Sequence, residues 1–244
     1  MKKMLPVACL VLALLLYGCN EQDVLYDMAR FDRTYVPAMV LTGTKDTTGQ
    51  SVLAVKRLRQ DWDLLSAKYR QLFVVGDSAG KVSGIIERAD LLITTGDFQG
   101  AHRELESISG ILLDVRKRSG IDYYMDYLNR FYSTMEKTLS TVLAKEPDNV
   151  TESDLASIAA MLPRAREQWS NVSTARFDRK PFLFDKQTEK ALMDAVVAEA
   201  RAIENLEAAL RSGNRKLIFR YSGQLREGFF SVYRMFGNFD SVSI

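Results

Sequence analysis

The sequence predicts an all-α protein, a helical bundle of seven or eight helices. Three observations carry that expectation. Apolar residues recur at three- and four-residue spacing through most of the chain beyond residue 24, the period of a helix with one buried face. Gly96, Gly120, Gly213 and Gly237 each close a periodic run, where helices favour a left-handed cap. No set of alternating apolar and polar runs reads as strands.

The chain opens Met1-Lys2-Lys3-Met4, a short basic segment, and is apolar from Leu5 to Leu16 apart from Pro6 and Cys9. About a dozen apolar residues are too few to span a bilayer and suit the core of a signal peptide. The run ends in "LYGC", residues 16–19: an apolar residue three before the cysteine, small Gly18 beside it, and Cys19 itself. This resembles the lipobox of bacterial lipoproteins. The resemblance implies that residues 1–18 are a lipoprotein signal peptide and that Cys19 carries diacylglycerol and an N-acyl chain. Several acyl chains make a stable membrane anchor where one is marginal. Asn20 follows Cys19. In enterobacterial lipoproteins an Asp there favours inner-membrane retention, so the resemblance implies the periplasmic face of the outer membrane.

Losing residues 1–18 removes Lys2 and Lys3 from 33 basic residues and balances them against 31 acidic ones. No basic stripe for nucleic acid is expected. Cys9 and Cys19 are the two cysteines, so the remaining body has no disulfide, haem-attachment motif or cysteine zinc cluster. Beyond the acyl chains, no cofactor and no metal is expected.

Eight periodic segments follow, with residues 19–24 read as acylated cysteine and tether. The first spans 24–43, interrupted near Pro37. The second spans 50–73, with Leu58, Trp62, Leu65 and Tyr69 on one stripe. The third and fourth span 78–95 and 98–119. The fifth spans 121–145, the sixth 153–173 with Ser153 as N-cap, the seventh 185–212 opened by Asp185, and the eighth 214–237. A faint repeat runs through them. "RFDRT" at 30–34 echoes "RFYST" at 130–134, and "RQDW" at 59–62 echoes "REQW" at 166–169. "IE" at 86–87, Gly96 and Gly120 echo "IE" at 203–204, Gly213 and Gly237. The offsets are 100, 107 and 117, growing as loop insertions would make them. They suggest two tandem four-helix units, 24–120 and 121–244.

"GDSAG", residues 76–80, matches the G-x-S-x-G elbow of serine hydrolases. That elbow needs a strand before Ser78 and a histidine late in the chain. Here the preceding residues carry a helical stripe, and the one histidine, His102, follows 24 residues later. The expectation is a helix–helix connection. Gly76…Gly80-Lys81 also falls one residue short of a phosphate-binding loop, with Val82 where Ser or Thr should stand.

The most site-like stretch is "GDFQGAHRELE", 96–106, where His102 and Glu106 share a helical face at the border of an apolar stripe. Their spacing is that of a two-ligand metal clip, but the lone histidine points rather to a boundary residue bonded to a nearby carboxylate or water. Aromatic residues crowd 122–132, including Tyr124, and 219–239. Such clusters form a core or line a hydrophobic pocket. The loop 173–185, with Pro181 and three phenylalanines, is a candidate interaction surface. The function expected is a non-enzymatic binding or scaffold module on the membrane. Its partners are the bilayer, through the anchor, and an envelope protein. The alternatives are a small-ligand or metal-binding bundle using His102, Glu106 and Tyr124, and a hydrolase at Ser78.

Overall fold

The structure, a computed structural model, describes residues 21–44 and 49–242. The proposed leader 1–18 and Cys19 lie outside the described residues. Among the described residues there are nine α-helices and no strand. They are α1 (Glu21–Gly43), α2 (Gln50–Lys68), the single turn α3 (Arg70–Phe73), α4 (Ser78–Thr94) and α5 (Phe98–Arg118). After a short loop come α6 (Tyr124–Leu143), α7 (Glu152–Thr174), α8 (Lys186–Ser212) and α9 (Arg215–Arg234).

Local chemistry sets the ends. Asp97, Asp185 and Asn214 each accept a hydrogen bond from a first-turn backbone N–H, satisfying one of the donors a helix start leaves open. Helix α7 is capped by Thr151, not Ser153: Thr151 and Asp154 exchange side-chain and backbone bonds in a capping box. Gly96, Gly120 and Gly213 have φ of 82°, 68° and 67°. Gly237 does not share that role. A Cβ there would lie 2.7 Å from Phe239 and 3.0 Å from Pro37, so glycine is needed for close approach.

Three expectations are corrected. Residues 21–24 are not tether but the first turn of α1, and Val24 is already buried. The run 50–73 breaks at Tyr69, whose hydroxyl donates to Asp27 at 2.6 Å. Pro37 does not interrupt the first helix, which runs through it. Proline lacks the N–H that would bond the carbonyl of Arg33. Asn238 supplies one instead, donating its backbone N–H to Arg33 O at 2.8 Å. The gap left by Pro37 thus becomes a tie to the segment after α9.

The helices pack in two closed rings of four. In the first, α1 packs on α2, α2 on α4, α4 on α5, and α5 back on α1; in the second, α6, α7, α8 and α9 do the same. The rings meet where α5 touches α6 and α1 touches α9. Each ring is centred on a tryptophan. Trp62 packs on Phe31 and Phe73 at 5.6 and 5.1 Å, and Trp169 packs on Phe131 at 4.6 Å. Both indole N–H groups are satisfied, by Ser83 Oγ and by Val196 O. Buried side chains of both rings merge into one cluster.

Replacing Trp169 with Ala should cost about 3–5 kcal/mol, because the cavity cannot close around so large a loss. Urea unfolding followed by far-UV dichroism checks it. A cost below about 1 kcal/mol would mean that Trp169 does not organise its ring.

Candidate functional site

The junction between the rings gathers the polar side chains. Helix α5 places His102 and Glu106 one turn apart, facing α1 and α6. The imidazole lies over Gly43, where a Cβ would approach its Cε1 to 3.0 Å. Nδ1 is 3.0 Å from the carbonyl oxygen of Met39. A carbonyl only accepts, so Nδ1 carries a proton and donates. Nε2 faces Tyr132 Oη at 3.3 Å and Glu106 Oε1 at 3.5 Å. The Tyr132 hydroxyl donates to Glu106 Oε1 at 2.5 Å. Burial works against charge on Glu106, but the bonds from His102 and Tyr132 outweigh it and hold the carboxyl below its usual range. Nδ1 is thus held by the backbone, and Nε2 faces the Tyr132 and Glu106 oxygens. Among the described residues no group of three His, Cys, Asp or Glu side chains is placed to hold a metal ion.

Tyr124 does not join this cluster. It stands about two turns before Tyr132 on α6, packed on Phe177 and Phe236, and burial pushes its phenol up to about 12. Ser78 is equally remote. It opens α4 beside Arg118, which stands 16 residues after His102 on α5, so about 24 Å of helix separates Ser78 from His102. Its hydroxyl donates to Val75 O at 3.0 Å, and what precedes it is the helical turn Arg70–Phe73 and a kink at Gly76 and Asp77, not a strand. The loop 173–185 tucks Phe177, Phe182 and Phe184 against Phe236 and leaves Leu183 exposed with φ 59°.

Beside the histidine cluster, a groove of about 700 Å³ runs between α5 on one side and α6 and α7 on the other. Tyr35, Met39, Tyr132 and Tyr233 contribute its apolar part. Four cations line it: Arg103 from α5, Arg130 and Lys137 from α6, and Arg164 from α7. None of the four makes an ion pair among the described residues. Its two carboxylates are already engaged, Glu106 as above and Glu136 by both arms of Arg226 at 2.8 and 2.9 Å.

Further along the junction, Arg116 grips Asp126 with two hydrogen bonds, one of them 2.9 Å, while its guanidinium covers the ring of Tyr123. Tyr123 donates to Asp32 at 2.5 Å. Burial pushes the Asp32 carboxyl up to about 6, against the pull of Arg116 and Tyr123.

Sequence reasoning missed this network, because Asp32 lies far along the chain from Tyr123, and Arg116 and Asp126 meet only across the loop between two helices. It also missed Glu199, for which a signal existed. Glu199 falls on the apolar stripe Leu192, Val196, Ile203, Leu206 at helical spacing. It is buried in the second ring, and among the described residues neither oxygen has a hydrogen-bond partner. Gly228 makes room for it, since a Cβ there would overlap Oε2.

No family model, no curated protein and no solved structure matches this chain.

Burial pushes the Glu199 carboxyl up to about 9. Its ionisation therefore opposes folding. Stability is fully present below the carboxyl's value in the unfolded chain and falls as pH rises towards about 9. Glu199→Gln should flatten that decline and leave the variant the more stable of the two at pH 8, measured by urea unfolding across pH 4–9. Parallel pH profiles for the two proteins would show that Glu199 is solvated or paired.

Proposed function

We propose that this protein is a non-enzymatic binding module, held on the periplasmic face of the outer membrane through an acylated Cys19, with the groove between the two helical rings as its binding site. The observation that carries the reading is that groove. It lies at the seam of two packed units, is partly apolar, and converges several polar side chains, which is the usual make-up of a small-ligand site. The binding rather than catalytic reading is supported by the commitments of the side chains that chemistry would need. His102 Nδ1 is held by a backbone carbonyl, and Ser78 lies about a helix length away. The tandem arrangement of two four-helix units, 24–120 and 121–244, is part of the same proposal. It is supported by the matching Phe–Trp pairs of the two rings.

Native mass spectrometry of the full chain, released gently from detergent, tests the binding reading. A mass excess that vanishes on denaturation, and is absent from Tyr132→Ala, is expected. The excess surviving in Tyr132→Ala would place the ligand elsewhere. Anchoring is tested separately. Cys19→Ser should move the protein from the membrane fraction to the soluble one, and retention in the membrane would remove the lipoprotein reading.

A further inference from the structure

The two helical rings carry equivalent surfaces at their junction, and these differ in charge balance. The equivalence follows from the repeat offsets. Arg130 and Thr134 on α6 stand 100 residues after Arg30 and Thr34 on α1. Arg164 and Gln168 on α7 stand 107 residues after Arg57 and Asp61 on α2. The buried pairs Phe31–Trp62 and Phe131–Trp169 obey the same two offsets and are in contact in both rings.

Arg130, Thr134, Arg164 and Gln168 line the groove already described. Their counterparts Arg30, Thr34, Arg57 and Asp61 line a smaller hollow of about 420 Å³. That hollow contains its own counter-ion: Asp61 accepts from Arg30 at 3.1 Å. It is also partly closed by Asn238 and Ser241, from the segment after α9. In the groove, Gln168 stands where Asp61 stands. The amide brings no charge, and its oxygen is buried without a partner among the described residues. Arg103 and Lys137 add two more cations. Of the two groove carboxylates, Glu136 is paired with Arg226, and Glu106 accepts from the neutral Tyr132 hydroxyl. The groove therefore sets four cations against one carboxylate that no arginine or lysine pairs among the described residues.

We infer that the anion is supplied from outside: the groove binds a small organic molecule carrying two or more oxyanion groups, carboxylate or phosphate, with its carbon body against Tyr132 and Tyr233. Arginine forks match either oxyanion with two parallel hydrogen bonds. Four cations spread over three helices suit a multivalent ligand better than a single ion. This inference rests on the groove being the binding site.

The test is titration calorimetry of the full chain in detergent with citrate, with tripolyphosphate, and with maltose as a neutral control. One of the two anions is expected to bind one per chain, and which one binds assigns carboxylate or phosphate. Affinity should fall about tenfold or more in Gln168→Asp, which installs the counter-ion of the sister hollow. It should fall as much in Arg103→Gln/Lys137→Gln, whose substituted side chains are exposed and unpaired and which keeps the test valid should Gln168→Asp misfold. Added salt should weaken binding in the parent. Binding that both variants leave unchanged overturns the inference. So does a neutral ligand, retained in native mass spectra and lost in Tyr132→Ala, with neither anion binding; the groove then stands as a site of another class. No binding of either anion together with a bare polypeptide mass removes the site and the inference alike.

Discussion

The pair Arg116–Asp126 holds the two rings in register. Arg116 comes from the last turn of α5 and Asp126 from the first turn of α6, so the bond closes the short loop on which the chain passes from one ring to the other. Both side chains are almost fully buried, at 3% and 4% exposure. A buried pair of this kind adds little over a well-packed apolar pair, yet losing one partner leaves an uncompensated charge and costs about 3–5 kcal/mol. Its worth is therefore positional. Any other angle between the rings would strand Arg116 away from Asp126, and the ring of Tyr123 away from the guanidinium that covers it. The groove inherits its width from that angle, because its walls belong to different rings.

A second tie lies across the junction, where Asn238 bonds the Arg33 carbonyl that Pro37 leaves open. The two contacts are related. In the proposed repeat α1 matches α6 and α5 matches α9, which makes the contact of α5 with α6 the counterpart of α9 with α1. On that proposal the junction is like the face of a two-fold dimer built within one chain, in which equivalent patches meet. The residue after each buried phenylalanine shows it. Asp32 and Tyr132 hold equivalent positions, both point into the junction, and each ends a polar chain there. One receives the hydroxyl of Tyr123; the other donates to Glu106. The matching positions carry different chemistry.

Helix periodicity made most of this fold legible. The stripe through Leu58, Trp62 and Leu65 is a core face, and Asp185 is an N-cap, because both depend on neighbours within a turn or two. Three of the misreadings share one cause. Pro37, Tyr69 and Gly237 answer to residues far away in the chain: Asn238, Asp27, and the packing of Val36 and Pro37. Local patterns say nothing of such partners. The site divides along the same line. His102 and Glu106 sit one turn apart, and their pairing was visible from spacing. Tyr132, which joins them, was lost in a crowd of aromatic residues in which Tyr124 looked equally eligible. The four groove cations left no pattern in the sequence, because each is one exposed residue on a different stretch of surface. Only the folded junction brings them to one place.

The length of chain before α1 bears on how such a groove would be presented. Helix α1 starts at Glu21, two residues after Cys19, so an acylated Cys19 would hold the body close against the bilayer rather than on a long leash. The end nearest the anchor is then defined by contacts. Asp27 near the start of α1 meets Lys68 and Tyr69, and Arg118 at the end of α5 reaches Val75 and Ser78. That end displays exposed Val74, Val75 and Leu183. Single apolar side chains beside cations such as Arg179 and Lys180 suit the headgroup layer better than water. Helix α5 runs antiparallel to α1, as the bonds from Tyr35 to Leu105 and from His102 to Met39 require. Gln99, Arg103 and Ser140 therefore place one end of the groove in the half of the body away from the anchor. A ligand dissolved in the periplasm would reach those cations without passing the membrane surface, and a short anchor would keep that opening turned outward.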